Sequence, residues 1–491
     1  MHGGVPVTFH RRAEDALANA QLNDTLRRVT ARILDSRAAG LARLPDADAW
    51  RDRGREIRAH TLAHLDRYLD QFVDSVEARG GHVHFAATAE DAVSIVLDIA
   101  RTRQLRKAVK GKSMISEEIH LNDHLEAAGI EVVETDLGEW IVQLAHDHPS
   151  HVIMPIIHKS ASEVADLFRR TLGATEADVA DVSAMTRFAR TRLRPDFLTA
   201  DLGISGVNFG VAATGSLCIC TNEGNGRLVT TLPKVHIAMM GIERIVPDMP
   251  SLGTMLEVLA RSATGQNLTV YTNILTGPRR GEESDGPDEL HVVLVDNGRS
   301  RVLGSQEAEI LYCIRCGACL NTCPVYQQIG GHAYGSVYPG PVGAVLTPAL
   351  WGQEAHSDLP HASSLCGACR EVCPVRIDIP RMLLTLRAAG TNEGRAPRWV
   401  TAGLGVYRRM AGHPFLFNLA GRLAALGTRA LARDGWITRL PGPLAGWTAS
   451  RDFPVMAVSS FQDQWKKRRA TGPPADRRQA DEEGAQSEDR R

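Results

Sequence analysis

Cysteines stand at 313, 316, 319 and 323 with Pro324 directly after the last, and a shorter copy at 366, 369 and 373 ends on Pro374. Seven of the nine cysteines of the chain therefore fall between 313 and 373. Thiols crowded in this way indicate metal binding rather than a disulfide framework. The first run, "CIRCGACLNTCP", has the spacing C-x2-C-x2-C-x3-C-P. Gaps of two residues let three successive sulfurs converge on one cubic [4Fe–4S] cluster. The fourth cysteine follows a wider gap and faces away, toward a second cluster. Gly317 and Ala318 are small enough for the backbone to wrap an inorganic core and leave its N–H groups free for sulfide. Pairs of the CxxC type also bind tetrahedral zinc, but the 3, 3, 4 spacing before proline, repeated in part, is the iron–sulfur pattern.

Counting back from Pro374 in "SSLCGACREVCP", Cys373 takes the crossing position and Cys369 and Cys366 the third and second, while the first falls on Ser363. One cluster then has Cys313, Cys316, Cys319 and Cys373. The other has Cys323, Cys366 and Cys369 and lacks one thiolate. Three solutions are open for its fourth iron: the oxygen of Ser363, a nitrogen of His332, His356 or His361 as in Rieske centres, or an iron open to solvent and easily lost to give [3Fe–4S].

The rest of the 491 residues exceeds one compact core, so several domains are expected. With 43% hydrophobic and 23% charged residues and a net charge of -1, the chain reads as globular, with no global attraction to nucleic acid. No secretory signal or run of about 18 apolar residues is present, which makes the cytoplasm the expected location. Residues 13–79 read as helical, with Leu62, Leu65, Leu69, Phe72 and Val76 on one stripe and glycines ending the last helix. From 82 to about 300, strand-like and helix-like runs alternate ("HVHFA", "AEDAVSIVLDIARTR", "IEVVET", "SHVIMPI", "SLCICT", "ELHVVLVDN"), the pattern of an α/β domain on a largely parallel sheet with some later hairpins. The expected division is 1–69 helical, 70–304 α/β, 305–390 cysteine module, 391–466 helical and 467–491 a polar, disordered tail.

Four other features carry less. "KGKS" at 110–113 lacks the glycine that a phosphate loop needs at 106, which is Arg106, so nucleotide hydrolysis is excluded; Lys110 and Lys112 can still meet an anion at a strand end. Cys218 and Cys220 share one face of a strand and read as buried apolar thiols. "TNEGNGR", 221–227, is a turn that either cradles a ligand or joins two strands. A helix around Leu404 to Ala432 carries Arg408, Arg409, Arg422 and Arg429 without an acidic residue; it is expected to pack with a solvated arginine face, the alternative being peripheral contact with a membrane or partner.

The cysteine segment "LYCIRCGACLNTCPVYQQIGGHAYGSVYPGPVGAVLTP" with "SSLCGACREVCPV" resembles the lactate-utilisation iron–sulfur proteins of the LutB (YkgF) type. "GISGVNFGVAATGSLCICTNEGNGR" and "LPKVHIAMMGIERIVP" are similar to the LUD domain of that family. The resemblance covers roughly 60–470. It implies a fold of the NagB/RpiA/CoA-transferase group for about 70–300, followed by a ferredoxin-like module with two [4Fe–4S] clusters on the cysteine sets just given. A second motif with three cysteines is that family's own pattern. It also implies an electron-transfer subunit for oxidation of L-lactate to pyruvate, working with a second iron–sulfur protein bearing cysteine-rich repeats and a smaller LUD-domain protein.

The sequence holds no G-x-G-x-x-G after a strand and hence no dinucleotide fingerprint. Lactate chemistry is therefore expected in a partner, or at an open iron acting as a Lewis acid. Two other classes stay open: an acyl- or CoA-transfer enzyme using Glu223 or Glu243 as nucleophile, and a scaffold or redox sensor.

Overall fold

The computed structural model describes residues 8–395 and 398–471, in two units, Met1–Glu393 and Gly394–Arg491. In the first unit, a six-stranded all-parallel sheet is built from β1 (His82–Ala86), β2 (Lys107–Lys110), β3 (Glu131–Glu134), β4 (Leu202–Gly206), β7 (Val235–Gly241) and β10 (Glu289–Val295), in the order β1-β10-β7-β4-β2-β3. A second sheet, β8-β5-β6-β9, uses β5 (Phe209–Val211), β6 (Ser216–Thr221), β8 (Ile245–Val246) and β9 (Tyr271–Leu275), with β6 antiparallel to both β5 and β9. The inner strand β7 is buried at every residue, as the near-continuous apolar run "VHIAMMG" requires of a strand covered on both faces. The crossover helix Ala89–Thr102 starts on a capping box between Thr88 and Asp91, and Ala161–Leu172 starts on another between Ser160 and Glu163.

Among the described residues four helices precede the sheet: Phe9–Ala18, Ala20–Ala42, Ala47–Ala63 and Leu65–Glu77. The last runs across the division expected at 69/70. Leu62, Leu65, Phe72 and Val76 are buried, and Leu69 packs at the edge of the same core. That core is continuous from these helices through Phe209, Leu217 and Ile245 of the small sheet to Leu320, Tyr326 and Tyr338 of the cysteine module. Helix, α/β and cysteine segments of the first unit thus share one interior.

Three local expectations are corrected. "SHVIMPI" forms no strand; 150–157 is a buried loop. Its polar groups are met across the fold: Tyr326 Oη donates to the Ser150 carbonyl at 2.7 Å, Gly331 N donates to Ser150 Oγ at 3.2 Å, and His151 Nδ1 accepts from Ile153 N and Met154 N. A Cβ on Gly331 would lie 1.9 Å from the Ser150 carbonyl oxygen, so glycine is required for this approach. "TNEGNGR" leads from β6 into the helix Asn225–Thr231 rather than into another strand. In the second unit the basic segment is two helices, Arg398–Ala411 and Pro414–Leu431, interrupted before Pro414. They do not bury an apolar face: Phe415 and Leu423 are exposed and Ala425 alone is buried among the described side chains of the two. The helix Phe461–Thr471 reaches past the expected start of the tail, and residues 472–491 lie outside the described residues.

Candidate metal centre

The two cysteine motifs fold as repeats of one loop. In the first, Arg315 has φ 60° and Gly317 φ 74°, one on each side of Cys316, before the short helix Ala318–Thr322. In the second, Leu365 has φ 56° and Gly367 φ 86°, one on each side of Cys366, before Ala368–Glu371. Left-handed backbone at Arg and Leu is strained, and it recurs because it turns successive side chains inward around one centre. The crossing cysteines match too. Cys323 Sγ accepts from the backbone of Val325 and Tyr326, and Cys373 Sγ from Val375 and Ile377. At the head of each loop, Arg315 N donates to Cys313 Sγ at 3.4 Å and Leu365 N donates to Ser363 Oγ at 3.1 Å. The Ser363 hydroxyl therefore takes the place in the second loop that the Cys313 thiol takes in the first.

Cys313, Cys316, Cys319 and Cys373 line one cavity, walled otherwise by Val152, Val342, Ile377 and their neighbours. Cys323, Cys366 and Cys369 lie within electrostatic reach of one another, and Cys319 stands between the groups, sensing both Cys373 and Cys369. Cys366 is exposed; Cys323 and Cys369 are buried. Burial, and then the neighbouring sulfurs, push the Cys373 thiol up to about 11 and the Cys369 thiol up to about 12. Left to themselves these thiols stay protonated. Their convergence, with N–H groups aimed at sulfur, suits thiolates gathered on a cationic core, so the residues fit an iron–sulfur cluster.

A thiolate-ligated cluster is an anion, and the protein supplies cations that the cysteine pattern does not reveal. The helix Ala47–Ala63 carries Arg51, Arg55 and Arg58 at steps of four and three, on one face. Arg51 donates to the carbonyls of Cys373 (3.0 Å) and Glu371. Arg55 donates to the Arg376 carbonyl at 2.7 Å and pairs with Glu309 at 2.6 Å. Arg58, fully buried, donates to the carbonyls of Ile245 (2.8 Å), Leu311 (3.0 Å) and Glu243. Arg37 donates to the Val372 carbonyl at 2.8 Å and Arg244 to the Cys313 carbonyl at 3.1 Å. The signal was present in "RDRGREIR", whose arginine spacing marks a helix face too charged to be buried without an anionic partner.

The other candidates are dispersed. His332 Nε2 donates to the His148 carbonyl at 2.7 Å and faces Asp147 and His158. His356 leans on Trp351, and His361 lies beside Arg387 and Asp358. Lys110 is fully buried between Glu134 (2.7 Å) and Glu117 (3.1 Å), so it is a core ion pair and not an anion site. Cys218 is buried, with its sulfur 3.9 Å from that of half-buried Cys220. Glu243 is buried against Arg299 (2.8 Å), with Arg244 and Arg315 beyond; despite its burial, these cations hold its carboxyl down at about 2, making it a counter-charge with no face open to a substrate.

Residues 69–295 match the LUD domain and residues 309–377 the 4Fe-4S dicluster domain. The chain is 46% identical over 469 residues to the "Lactate utilization protein B" of Geobacillus thermodenitrificans, covering 95% of this chain and 98% of that one. It is 44% identical over 465 residues to the protein of the same name from Shouchella clausii, covering 94% and 98%. A solved DUF162-family protein from Deinococcus radiodurans matches 47% of this chain and 98% of its own at 15% identity, with a TM-score of 0.27, too low to bear on the fold. With two domain matches in this order and near-complete coverage at such identity, the chain belongs to the lactate utilization protein B family, an LUD domain joined to a 4Fe-4S dicluster domain.

Proposed function

We propose that this chain is the iron–sulfur electron-transfer subunit of a system that oxidises L-lactate to pyruvate. The observation that carries the reading is the pair of matched cysteine loops on a chain that aligns end to end with proteins named for lactate utilisation. In this reading Cys313, Cys316, Cys319 and Cys373 hold one cluster. Cys323, Cys366 and Cys369 hold the second, with the Ser363 hydroxyl at its fourth corner. When bound, the clusters supply one-electron transfer. The arginines of the Ala47–Ala63 helix offset thiolate charge and hold the loop that carries Cys373. Exposed Cys366 favours the second set as the side that meets a redox partner. The partners in this reading are a second iron–sulfur protein with cysteine-rich repeats and a smaller LUD-domain protein, in the cytoplasm; no described helix is long and apolar enough to cross a membrane. We also assign the α/β part, on its parallel sheet, to the wider NagB/RpiA/CoA-transferase group.

Anaerobic EPR of the purified protein, alone and with its partners, before and after L-lactate, tests the reading. Lactate is expected to reduce the clusters only in the complete complex. Clusters that lactate does not reduce there would remove the electron-transfer role.

A further inference from the structure

The cysteine-lined cavity has a neighbour in the LUD domain. The chain leaves β2 toward β3 on one side and leaves β4 toward β7 on the other, although β2 and β4 are adjacent in the sheet. Parallel sheets open a crevice at such a reversal, beyond the carboxyl ends of the strands. A cavity of about 560 Å³ lies there. Lys112 and Ser113 line it just past β2, Asn208 just past β4, and Glu223 and Asn225 from the "TNEGNGR" segment. Its remaining wall includes Val152 and Arg315, which also line the cavity of Cys313, Cys316, Cys319 and Cys373.

Arg315 is the informative residue. Its side chain is 9% exposed, and its Nε and Nη1 atoms meet no hydrogen-bond partner. Nη2 is 3.7 Å from Glu243, which Arg299 also meets at 2.8 Å while pairing with Glu118 at 2.7 Å, and the guanidinium stands 4.5 Å above the Tyr338 ring. A buried guanidinium with idle donors is costly unless an anion completes it. Lys112, paired with Glu139 at 3.1 Å, adds a second cation to the wall. Burial and the neighbouring Asp136 push the Glu223 carboxyl up to about 7, so near neutral pH it is partly protonated, and Asp136 on the same wall turns Oδ1 to the Gly138 and Glu139 N–H groups.

We propose that this cavity binds a small organic carboxylate of the 2-hydroxy or 2-oxo acid class, its carboxylate on Arg315 with Lys112 nearby and its second oxygen among Asn208, Asn225 and Glu223. The inference deepens the electron-transfer reading by putting an acid in this subunit, against the wall of the first cysteine set. The binding itself is independent of that reading.

The test is calorimetric titration of the cluster-loaded full chain, without air, with L-lactate, pyruvate and the uncharged L-lactamide, followed by EPR of the reduced protein with and without each acid. One acid is expected to saturate at one site per chain, lactamide is expected not to bind, and the bound acid is expected to shift the EPR line shape. Arg315→Gln should weaken binding at least tenfold. Because Arg315 also faces the cysteine cavity, Lys112→Gln, outside that cavity, is the second variant; it should weaken binding severalfold with the acid-free EPR spectrum unchanged. No binding to the wild type, equal binding of lactamide, or unchanged affinity in both variants overturns the proposal. Binding that follows these variants in a complex whose clusters lactate does not reduce would retain the acid site and remove the electron-transfer reading alone.

Discussion

Replacing Arg51 with methionine separates the two things this arginine does. Its guanidinium donates to the carbonyls of Cys373 and Glu371 from a side chain only 11% exposed, and its other partner, Asp48, keeps Arg376 at 3.0 Å. Arg51→Met leaves two carbonyls without their charged donor, at about 1–3 kcal/mol each, so about 2–6 kcal/mol in all. For a unit of this size that is a fall in Tm on the order of 2–7 °C. The charge is lost too. A unit charge within about a Debye length of a redox centre, at an effective dielectric of about 20, contributes on the order of 2 kcal/mol, or roughly 90 mV for one electron. The cluster on Cys313, Cys316, Cys319 and Cys373 should therefore become harder to reduce, with its midpoint potential lowered by up to about that amount. Arg51→Lys keeps the charge but not the fork, so its potential should stay near the wild-type value while its Tm falls. Thermal unfolding of the cluster-loaded protein and EPR-monitored redox titration give both numbers. If Arg51→Met matches the wild type in Tm and potential, the view of this helix as clamp and counter-charge is wrong.

Ser363→Cys places a thiol where Cys313 stands in the matched loop, so any three-iron EPR signal of the oxidised protein should disappear and a further four-iron signal should appear on reduction; unchanged oxidised and reduced spectra contradict the loop equivalence. Glu223 has its pKa raised in the folded protein, so its protonated form stabilises the fold at pH values below about 4.5, and that contribution is lost as pH rises to about 7. Chemical denaturation from pH 4.5 to 8 should show Glu223→Gln gaining stability relative to wild type as pH rises through that window, and a flat difference refutes the assignment. Gly331→Ala drives a methyl into the Ser150 carbonyl and should cost about 1–3 kcal/mol, whereas Gly253→Ala, in open helix surface, should be neutral or stabilising by about 0.5–1 kcal/mol; equal unfolding midpoints would show that the 150–157 loop yields.

The sequence made visible what depends on local spacing. Cysteine intervals separated the two thiol sets, and the alternation of strand-like and helix-like runs from 82 to about 300 marked the parallel sheet and its helices. Less visible was whatever depends on a partner distant in the chain. "SHVIMPI" has strand composition, but its backbone is satisfied by Tyr326, Gly331 and the His151 ring, so tertiary contacts override its propensity. Lys110 and Lys112 look alike in "KGKS", yet one ends inside β2 between two carboxylates and the other on a cavity wall, a difference of strand register that composition does not carry. Arg315 read as an arbitrary x in C-x2-C, because neither its left-handed backbone nor its idle donors has a local sequence signature.

The face of Arg51, Arg55 and Arg58 has a consequence for how this protein can be taken apart. The cysteine loops resemble a portable part, but the cations that neutralise them sit about 250 residues earlier, on a helix that also grips the small sheet through the Ile245 carbonyl. A fragment beginning at 305 would carry the sulfurs without their electrostatic counterpart, and iron captured by it would report on a different environment. Dissection and grafting of the redox segment therefore have to respect a boundary drawn by charge balance, which encloses the N-terminal helices as well as the thiols.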